Sequence, residues 1–540
     1  MRLRRVLILG ASLMQRPAII EAKKLGCEVI AVDANANALC VKEVDRFENI
    51  DLKDIPALIN FAKELSINGG LSAVFTAGTD FSSSVASITE ALNLAGHSFE
   101  AACNASDKVR MRECFYKCNL PSPRFIKVSQ ANELNIEDLE FFSFPLVAKP
   151  SDSMGARGCQ LIWKKDDVEK AIDVAKKFSR SGNVIVEEFI EGPEFSIEGL
   201  VFNNEVHITA LADRHIYFSP YFVEMGHTIP SSYTKDIKDK VIDVFIKGVK
   251  ALHLTHGACK GDIFFETKKN RAVIGEIAGR LSGGYMSGWT VPYSSNINVT
   301  SLALQLALKD KIELPSEIPT KENTKMFSSE RAYISIPGVV KEVIGLKEAK
   351  ESFNVKEVFP RVNIGERVFF PKNNVEKCGN VISLATTYED AILASRNAIK
   401  KIFIRLKPND EKTDEFLSSF NDNLKEEDKY PPNYFIFPNI KEGSLMKLLS
   451  SFDFIVEDEI IYPHFFTPYL DFIREPMGLS IREALKIAFS IEKKLKTELS
   501  TLIENKNYEK LLKYWISFIR GGIQGIIYCF DTFSSGEFYA

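Results

Sequence analysis

The chain has 540 residues, 45% hydrophobic and 26% charged, an ordinary soluble globular composition with room for three or four domains at ~150 residues each. A net charge of −4 and a pI near 6.1 exclude a dominant nucleic-acid surface. Nine cysteines without a CxxC pair argue against a zinc site or a disulfide framework, and free thiols in a reducing cytoplasm are expected.

The start, Met1 to Gly10, has the charge of a signal peptide, but its apolar core is too short and Gln15-Arg16-Pro17 follows, so Val6–Leu9 reads as a buried parallel strand. No apolar run approaches the ~18 residues needed to span a bilayer. Gly10-Ala11-Ser12 forms a turn, Pro17 to Leu25 a helix with proline in its first turn, and Cys27 to Asp33 a second strand. This is a βαβ unit of the doubly wound kind, without a full GxGxxG. Helix Ile55 to Leu65 and strand Ala73-Val74-Phe75 repeat it, and the loop Thr76 to Asp80 follows where α/β sheets place ligands. Helices run through Leu94 and from Asp107 to Lys117, and Pro121-Ser122-Pro123 marks a linker.

Phe144 to Pro150 is a short apolar strand ending in Lys149. The loop Ser151-Asp152-Ser153-Met154-Gly155-Ala156-Arg157-Gly158 and the strand Cys159 to Ile162 follow. A small-residue hairpin tip can lay backbone N–H groups over phosphates, and an adjacent ammonium is a phosphate partner. No GK[ST] follows, so it is not a Walker A loop; the bland reading is a plain turn. After a helix from Asp167 to Phe178, Val184 to Gly199 reads as a hairpin of two acid-bearing strands about Gly192-Pro193. Glu187 or nearby backbone would bind an adenine edge and Glu194 the ribose, or the hairpin is merely solvated. Phe222 to Pro230 reads as a loop carrying His227, and Ile237 to Leu252 as a helix.

Next come Gly261 to Glu266 and Ala272 to Gly284, two apolar runs each carrying an acid, joined by Thr267-Lys268-Lys269-Asn270-Arg271; the bland reading is a solvated hairpin with two unrelated acids. Paired as a hairpin, they bring Asp262 and Glu276 toward one site, a donor set suited to Mg²⁺ completed by water and phosphate oxygens. Arg280, four residues past Glu276, could meet a developing negative charge.

In this order the pieces resemble the ATP-grasp superfamily over residues 1 to about 405. The matching marks are Asp107-Lys108, Ala148-Lys149-Pro150, the loop 151–158, Val186 to Ile190 with Gly192-Pro193-Glu194, and the acid pair with its arginine. Arg280-Leu281-Ser282-Gly283-Gly284 and Glu224-Met225-Gly226-His227 look closest to the carboxylate–amine ligases that include L-amino-acid ligases. Carbamoyl-phosphate synthase large subunits and biotin carboxylases are more distant likenesses.

The resemblance implies an α/β protein. Its parts are a Rossmann-like preceding domain (1–105), an ATP-grasp fold of two α+β subdomains (106–310) and a small β-rich closing domain (325–405). An extra, mostly helical C-terminal region (413–540) would follow the linker Lys407 to Lys412. The implied cofactors are ATP and Mg²⁺, with Mn²⁺ as a substitute. Lys108, Lys149, Ser151, Ser153, Gly155 and Gly158 would hold phosphates, with the loop closing over them. Glu187, Phe189 and Ile190 would take adenine, Glu194 ribose, and Asp262 and Glu276 the metal. Arg280 would serve phosphoryl transfer, and His227 would lie near the substrate. One departure stands out: the family reads Glu-x-Asn-x-Arg, and here the third place is Ala278.

In the closing domain Arg331 either contributes a charge to the substrate cleft or, the favoured reading, is a surface arginine. Beyond it, the aromatics of Tyr434 to Phe437 and Ile461 to Phe466 read as core, and Ile481 to Leu502 as a helix. This region would pack on the ligase core, form a homodimer, or bind a partner. The expected activity joins a small-molecule carboxylate to an amine through an acyl phosphate, with no nucleic-acid or membrane partner. The alternatives are a purine- or carbamoyl-type ligase and a non-catalytic ATP-binding scaffold.

Overall fold

The structure is a computed structural model that describes residues 4–129, 134, 136–314, 320–419, 430–437, 440, 442–457, 459–473 and 478–535. The chain divides into two compact units. The first comprises Met1–Ile216, Gly226–Glu330 and Ser383–Ile392, and the second Tyr217–Met225, Arg331–Ile382 and Leu393–Ala540.

The first unit opens with a parallel sheet in the order Arg46–Glu48, Cys27–Val32, Arg4–Leu9, Ala73–Phe75. Val6, Leu7, Ile8 and Leu9 are wholly buried, as a continuous apolar run requires when helices cover both faces. The helices Arg16–Lys24 and Ile55–Ile67 start with proline in the first turn, and Asp54 caps the second by accepting from the Ala57 N–H at 3.0 Å.

A second, antiparallel sheet runs Phe125–Val128, Val184–Glu188, Leu146–Pro150, Gln160–Ile162. The helix Val168–Phe178 buries Val168, Ala171, Ile172 and Ala175 against it. A third sheet includes, in order, Arg271–Ala278, Gly257–Glu266, Glu194–Phe202, Glu205–Tyr217 and Val223–Ile229. Alternation gives it two unlike faces. Phe195, Ile197, Ile263, Phe265, Ile274 and Ile277 pack with Val241, Phe245 and Val249 of the helix Lys235–Ala251. The other face carries Glu194, Ser196, Glu198, Lys260, Asp262 and Glu276.

Two expectations are corrected here. Val184–Glu188 and Glu194–Phe202 are not a hairpin; they belong to different sheets. The first is flanked on both sides by strands of its own sheet and has no free edge to offer. The chain crosses between sheets at Gly192, whose φ is +150°, and a Cβ there would lie 2.0 Å from the Phe265 carbonyl oxygen. His227 is not on a loop but on the strand Val223–Ile229, with its side chain buried.

The second unit contains a three-stranded sheet, Arg367–Val368, Gly338–Ile344, Phe403–Leu406, and a hairpin of Phe454–Val456 with Ile461–Pro463. Phe435, Phe437, Tyr462 and Phe466 pack with Trp515 and Phe518, so the aromatics are core as expected. The expected helix from Ile481 to Leu502 is two, Ile481–Ile491 and Lys493–Glu504, parted at Glu492 by an extended φ/ψ of −121°/89°. Ser480 and Glu483 close a capping box at the first. The expected linker is anchored: Asp410 pairs with Arg367 at 2.8 Å and caps the helix Glu411–Ser418. Arg331 is buried rather than on the surface. Parts of the expected helical region, 420–429 and 536–540 among them, lie outside the described residues. Among the described residues no helix is long and apolar enough to cross a membrane, and all nine cysteines are free thiols.

Candidate functional site

Asp262 and Glu276 stand directly opposite each other in the antiparallel pair Gly257–Glu266 and Arg271–Ala278, so both carboxylates leave the sheet on the same face. The register then jumps to Ile263 opposite Ile274, and Gly275 is the bulged residue. The bulge frees the Gly275 carbonyl, which accepts from Arg112 Nη2 at 2.7 Å.

Cations surround the pair. Lys108 opens the helix Lys108–Lys117, capped by Asp107, which accepts from the Val109 and Arg110 N–H groups. Its Nζ lies 3.6 Å from Glu276 Oε2 and donates to the Ser153 carbonyl at 2.8 Å. Burial pulls the Lys108 ammonium down, but Glu276, Cys159, Asp80 and Glu187 outweigh it and leave it above the usual lysine value. Burial pushes the Glu276 carboxyl up, yet Lys108, Lys260, Lys149 and Arg280 hold it down at about 2. Glu276 is therefore an anion at any physiological pH.

Glu187 is a second anchor. It is 2% exposed and pairs with Lys149 and with Arg112, the latter at 3.0 Å. Burial raises its carboxyl, and the two cations overturn that and leave it below the ordinary value. Its carboxylate thus positions Lys149 beside the loop 151–158. Within that loop Ser151 is wholly buried and donates to Asp107 Oδ2 at 3.0 Å, so this hydroxyl holds the loop to the helix start. Gly155 and Gly158 adopt φ of +67° and +72°, and Ala156 +60°, a left-handed path that glycine adopts without strain, and the Cys159 N–H donates back to the Ala156 carbonyl at 3.2 Å.

Arg280 is 8% exposed. Its Nη1 donates to the Leu281 carbonyl at 2.9 Å and its Nη2 lies 3.8 Å from Met154 Sδ at the loop tip. Its Nε is buried with no hydrogen-bond partner among the described residues. A buried guanidinium donor without an acceptor is costly unless an anion meets it. Asp80 lies in the same field; burial raises its carboxyl although Arg280 opposes this. The Asp80 loop meets the Arg280 loop closely: Ala77 bridges Leu281, and a Cβ on Gly78, at φ +64°, would sit 3.1 Å from Gly283 Cα. Glu198, wholly buried, accepts from the Ser282 N–H at 2.6 Å and from the Ser287 hydroxyl, fastening the Arg280 loop to the sheet.

Asp262 Oδ1 takes Arg214 Nη1 at 3.0 Å, and its Oδ2 takes Lys260 Nζ at 2.5 Å. Arg214 also reaches Glu194 at 3.1 Å, which joins the acid pair to the sheet crossing. At that crossing the Phe189 N–H reaches the Pro145 carbonyl at 3.4 Å, and Ile190 is buried. His227 is held by Thr290, with Nε2 2.6 Å from Oγ1, and its Nδ1 lies 3.4 Å from the Glu330 carboxylate.

The fold therefore brings Lys108, Lys149, Glu187, Glu276 and Arg280 into one charged cluster, chains Asp262 to Glu194 through Arg214, and seats His227 against Thr290 and Glu330. Sequence reasoning missed Arg112, Lys260, Arg214 and Glu198. Arg112 lies four residues past Lys108, and Lys260 two before Asp262 on the same strand face, spacings that could have found them. Arg214 comes from a separate strand and carries no local signal.

Among the described residues no group of three or more His, Cys, Asp or Glu side chains could hold a metal ion. Two facing carboxylates still fit Mg²⁺, which binds through one or two carboxylates plus phosphate oxygens and water. The Arg280 Nε, buried Lys108 and partly buried Lys149 fit those phosphates.

Residues 142–288 match the ATP-grasp domain, and residues 332–407 match the L-amino acid ligase C-terminal domain 2. The chain is 28% identical over 324 residues to the formate-dependent phosphoribosylglycinamide formyltransferase of Prochlorococcus marinus, covering 56% of this chain and 76% of that protein. It is 27% identical over 239 residues to the alanine–anticapsin ligase of Bacillus subtilis, covering 40% of this chain and half of that ligase. Among solved structures, an L-amino acid ligase from Bacillus licheniformis superposes with a TM-score of 0.65 at 22% identity, over 75% of this chain and 99% of that one; that likeness is one of fold. The expected ATP-grasp resemblance is borne out.

Proposed function

The chain carries an ATP-grasp domain followed by a C-terminal domain of the L-amino acid ligases, and from that premise we propose an ATP-dependent, ADP-forming carbon–nitrogen ligase whose substrates are a small-molecule carboxylate, such as that of an amino acid, and an amine. A carboxylate oxygen attacks the γ-phosphorus, the bond from that phosphorus to the β–γ bridging oxygen breaks, and ADP leaves. The amine nitrogen then attacks the acyl carbon, the bond to the phosphate oxygen breaks, and inorganic phosphate and one proton are released. Such transfers depend on positioning and on charge neutralisation.

In this reading Lys108 and Lys149 hold phosphate oxygens and the backbone of loop 151–158, with Ser153, Gly155 and Gly158, lies over them. Ser151 anchors the loop. The sheet crossing at Phe189 and Ile190 takes the adenine, Glu187 holds Lys149 in place, and Glu194 faces the ribose. Mg²⁺ would be held at the acid pair of Glu276 and Asp262, with Glu276 its more open carboxylate, and would supply charge neutralisation to the phosphates. Arg280 meets the transferring phosphoryl group, and His227, held by Thr290 and Glu330, orients the substrate end of the site.

One observation carries the reading: a buried arginine with an unpartnered Nε stands in the same cluster as an acid pair and two lysines. The test is phosphate and ADP release from ATP with pooled amino acids and amines. Turnover should appear with at least one pool and vanish in Glu276→Gln, with an unchanged far-UV spectrum. Full activity in that variant would overturn the metal assignment, and tight ATP binding without ADP under every pool would favour a non-catalytic scaffold.

A further inference from the structure

The two carboxylates of the acid pair are not equivalent. Among the described residues Glu276 has one ion-pair partner, Lys108, at 3.6 Å, and its side chain is 31% exposed. Asp262 is 16% exposed, and both its oxygens are taken: Oδ1 by Arg214 at 3.0 Å, with the Ser196 hydroxyl at 3.5 Å, and Oδ2 by Lys260 at 2.5 Å. Lys260 lies in the strand Gly257–Glu266, hydrogen-bonded between Glu194–Phe202 and Arg271–Ala278, with Glu198 opposite on one side and Ala278 on the other. Its side chain, 14% exposed, faces the Ala278 methyl group on one side and Glu198 on the other, where Oε1 is taken by Ser282 and Ser287 and Oε2 has no hydrogen-bond partner among the described residues.

Phosphoryl transfer can be served by two ions clamping the attacking and leaving oxygens, an arrangement that needs carboxylate oxygens free for both. Here a divalent ion on the Asp262 side would lose an oxygen to Lys260 and meet its charge head-on. We propose that Lys260 is a built-in substitute for a second metal ion, so that the nucleotide site takes one divalent ion, through Glu276 and the phosphates, with the Lys260 ammonium as the second cation. The inference rests on the nucleotide-binding reading above and gives Ala278 its reason: with a tethered cation opposite, no ligand atom is needed there.

The test counts Mn²⁺ by electron paramagnetic resonance on the full chain saturated with the β,γ-imido analogue of ATP. Wild type should hold one Mn²⁺ per bound nucleotide. Lys260→Met should bind the analogue roughly ten- to a hundredfold more weakly at limiting Mn²⁺, the loss expected for one charge-assisted contact. At high Mn²⁺ it should admit a second ion. Lys260→Arg, which keeps the charge, should keep the single ion. Two ions in wild type would overturn the proposal, as would a Lys260→Met protein with unaltered affinity and one ion. If Lys260→Met does not fold, the wild-type count and Lys260→Arg decide. A wild type that retains no nucleotide at any Mn²⁺ concentration would overturn the ligase reading as well, whereas nucleotide bound with two ions would sink this inference alone.

Discussion

Acidification should weaken the first unit in part through one buried histidine, His97. Its ring is buried and neutral, with Nε2 3.0 Å from the Ala258 carbonyl and Nδ1 accepting the His256 N–H at 3.3 Å. That pattern uses one donor and one acceptor, which only the neutral imidazole has. Burial, with a smaller push from His256, lowers its pKa from 6.5 to about 4 against the bond to Ala258. The unfolded chain therefore takes up a proton that the folded chain refuses. The stability this neutral histidine contributes is complete above pH 6.5 and is lost as pH falls from there through about 4. At 1.36 kcal/mol per pKa unit the loss reaches about 3 kcal/mol near pH 4. His97→Gln keeps a donor for Ala258 and does not titrate. Thermal or urea unfolding of both proteins at pH 7, 6, 5 and 4 should give curves that converge as pH drops, with the variant losing about 3 kcal/mol less than wild type. Parallel pH profiles would refute the reasoning.

Three further outcomes are expected. Arg280→Ala should lower the turnover rate by ~10²–10³, by analogy with deleting one donor that stabilises developing charge, while ATP-analogue binding falls less. Glu187→Gln leaves Arg112 and Lys149 without their shared carboxylate in a buried site, and should destabilise the chain by about 3–5 kcal/mol in urea unfolding. Gly192→Ala would drive a Cβ to 2.0 Å from the Phe265 carbonyl, and should lower the melting temperature and weaken nucleotide binding together.

Much of this site is legible in local pattern. Asp262 and Glu276 sit on apolar strands around a short polar turn; the turn sets the register as far as Ile263 opposite Ile274, and the bulge at Gly275 then brings Glu276 opposite Asp262. Lys149 ends a strand, Lys108 follows a helix cap, and Gly155 and Gly158 mark the loop between strands. What misled was strand partnership. Gly192-Pro193 looks like a hairpin turn, but the first strand already has neighbours on both edges, which no window around Gly192 reveals. His227 reads as a loop residue in sequence, whereas it lies in the strand Val223–Ile229. The break at Glu492 likewise interrupts an unbroken helical period.

The sequence by itself determined the kinds of group present and their places along each strand, helix and turn, since side-chain periodicity and turn chemistry act over a few residues. The tertiary structure alone decided which charge each group meets. Arg112 reaches Glu187 across 75 residues and the Gly275 carbonyl across 163, and His227 meets Thr290 across 63. In a buried, weakly screened interior those partners decide whether a carboxylate can receive a metal ion or is already spoken for by a cation. Asp262 and Glu276 read alike as acids on paired strands, and they differ because Lys260 and Arg214 close on one while the other stays open.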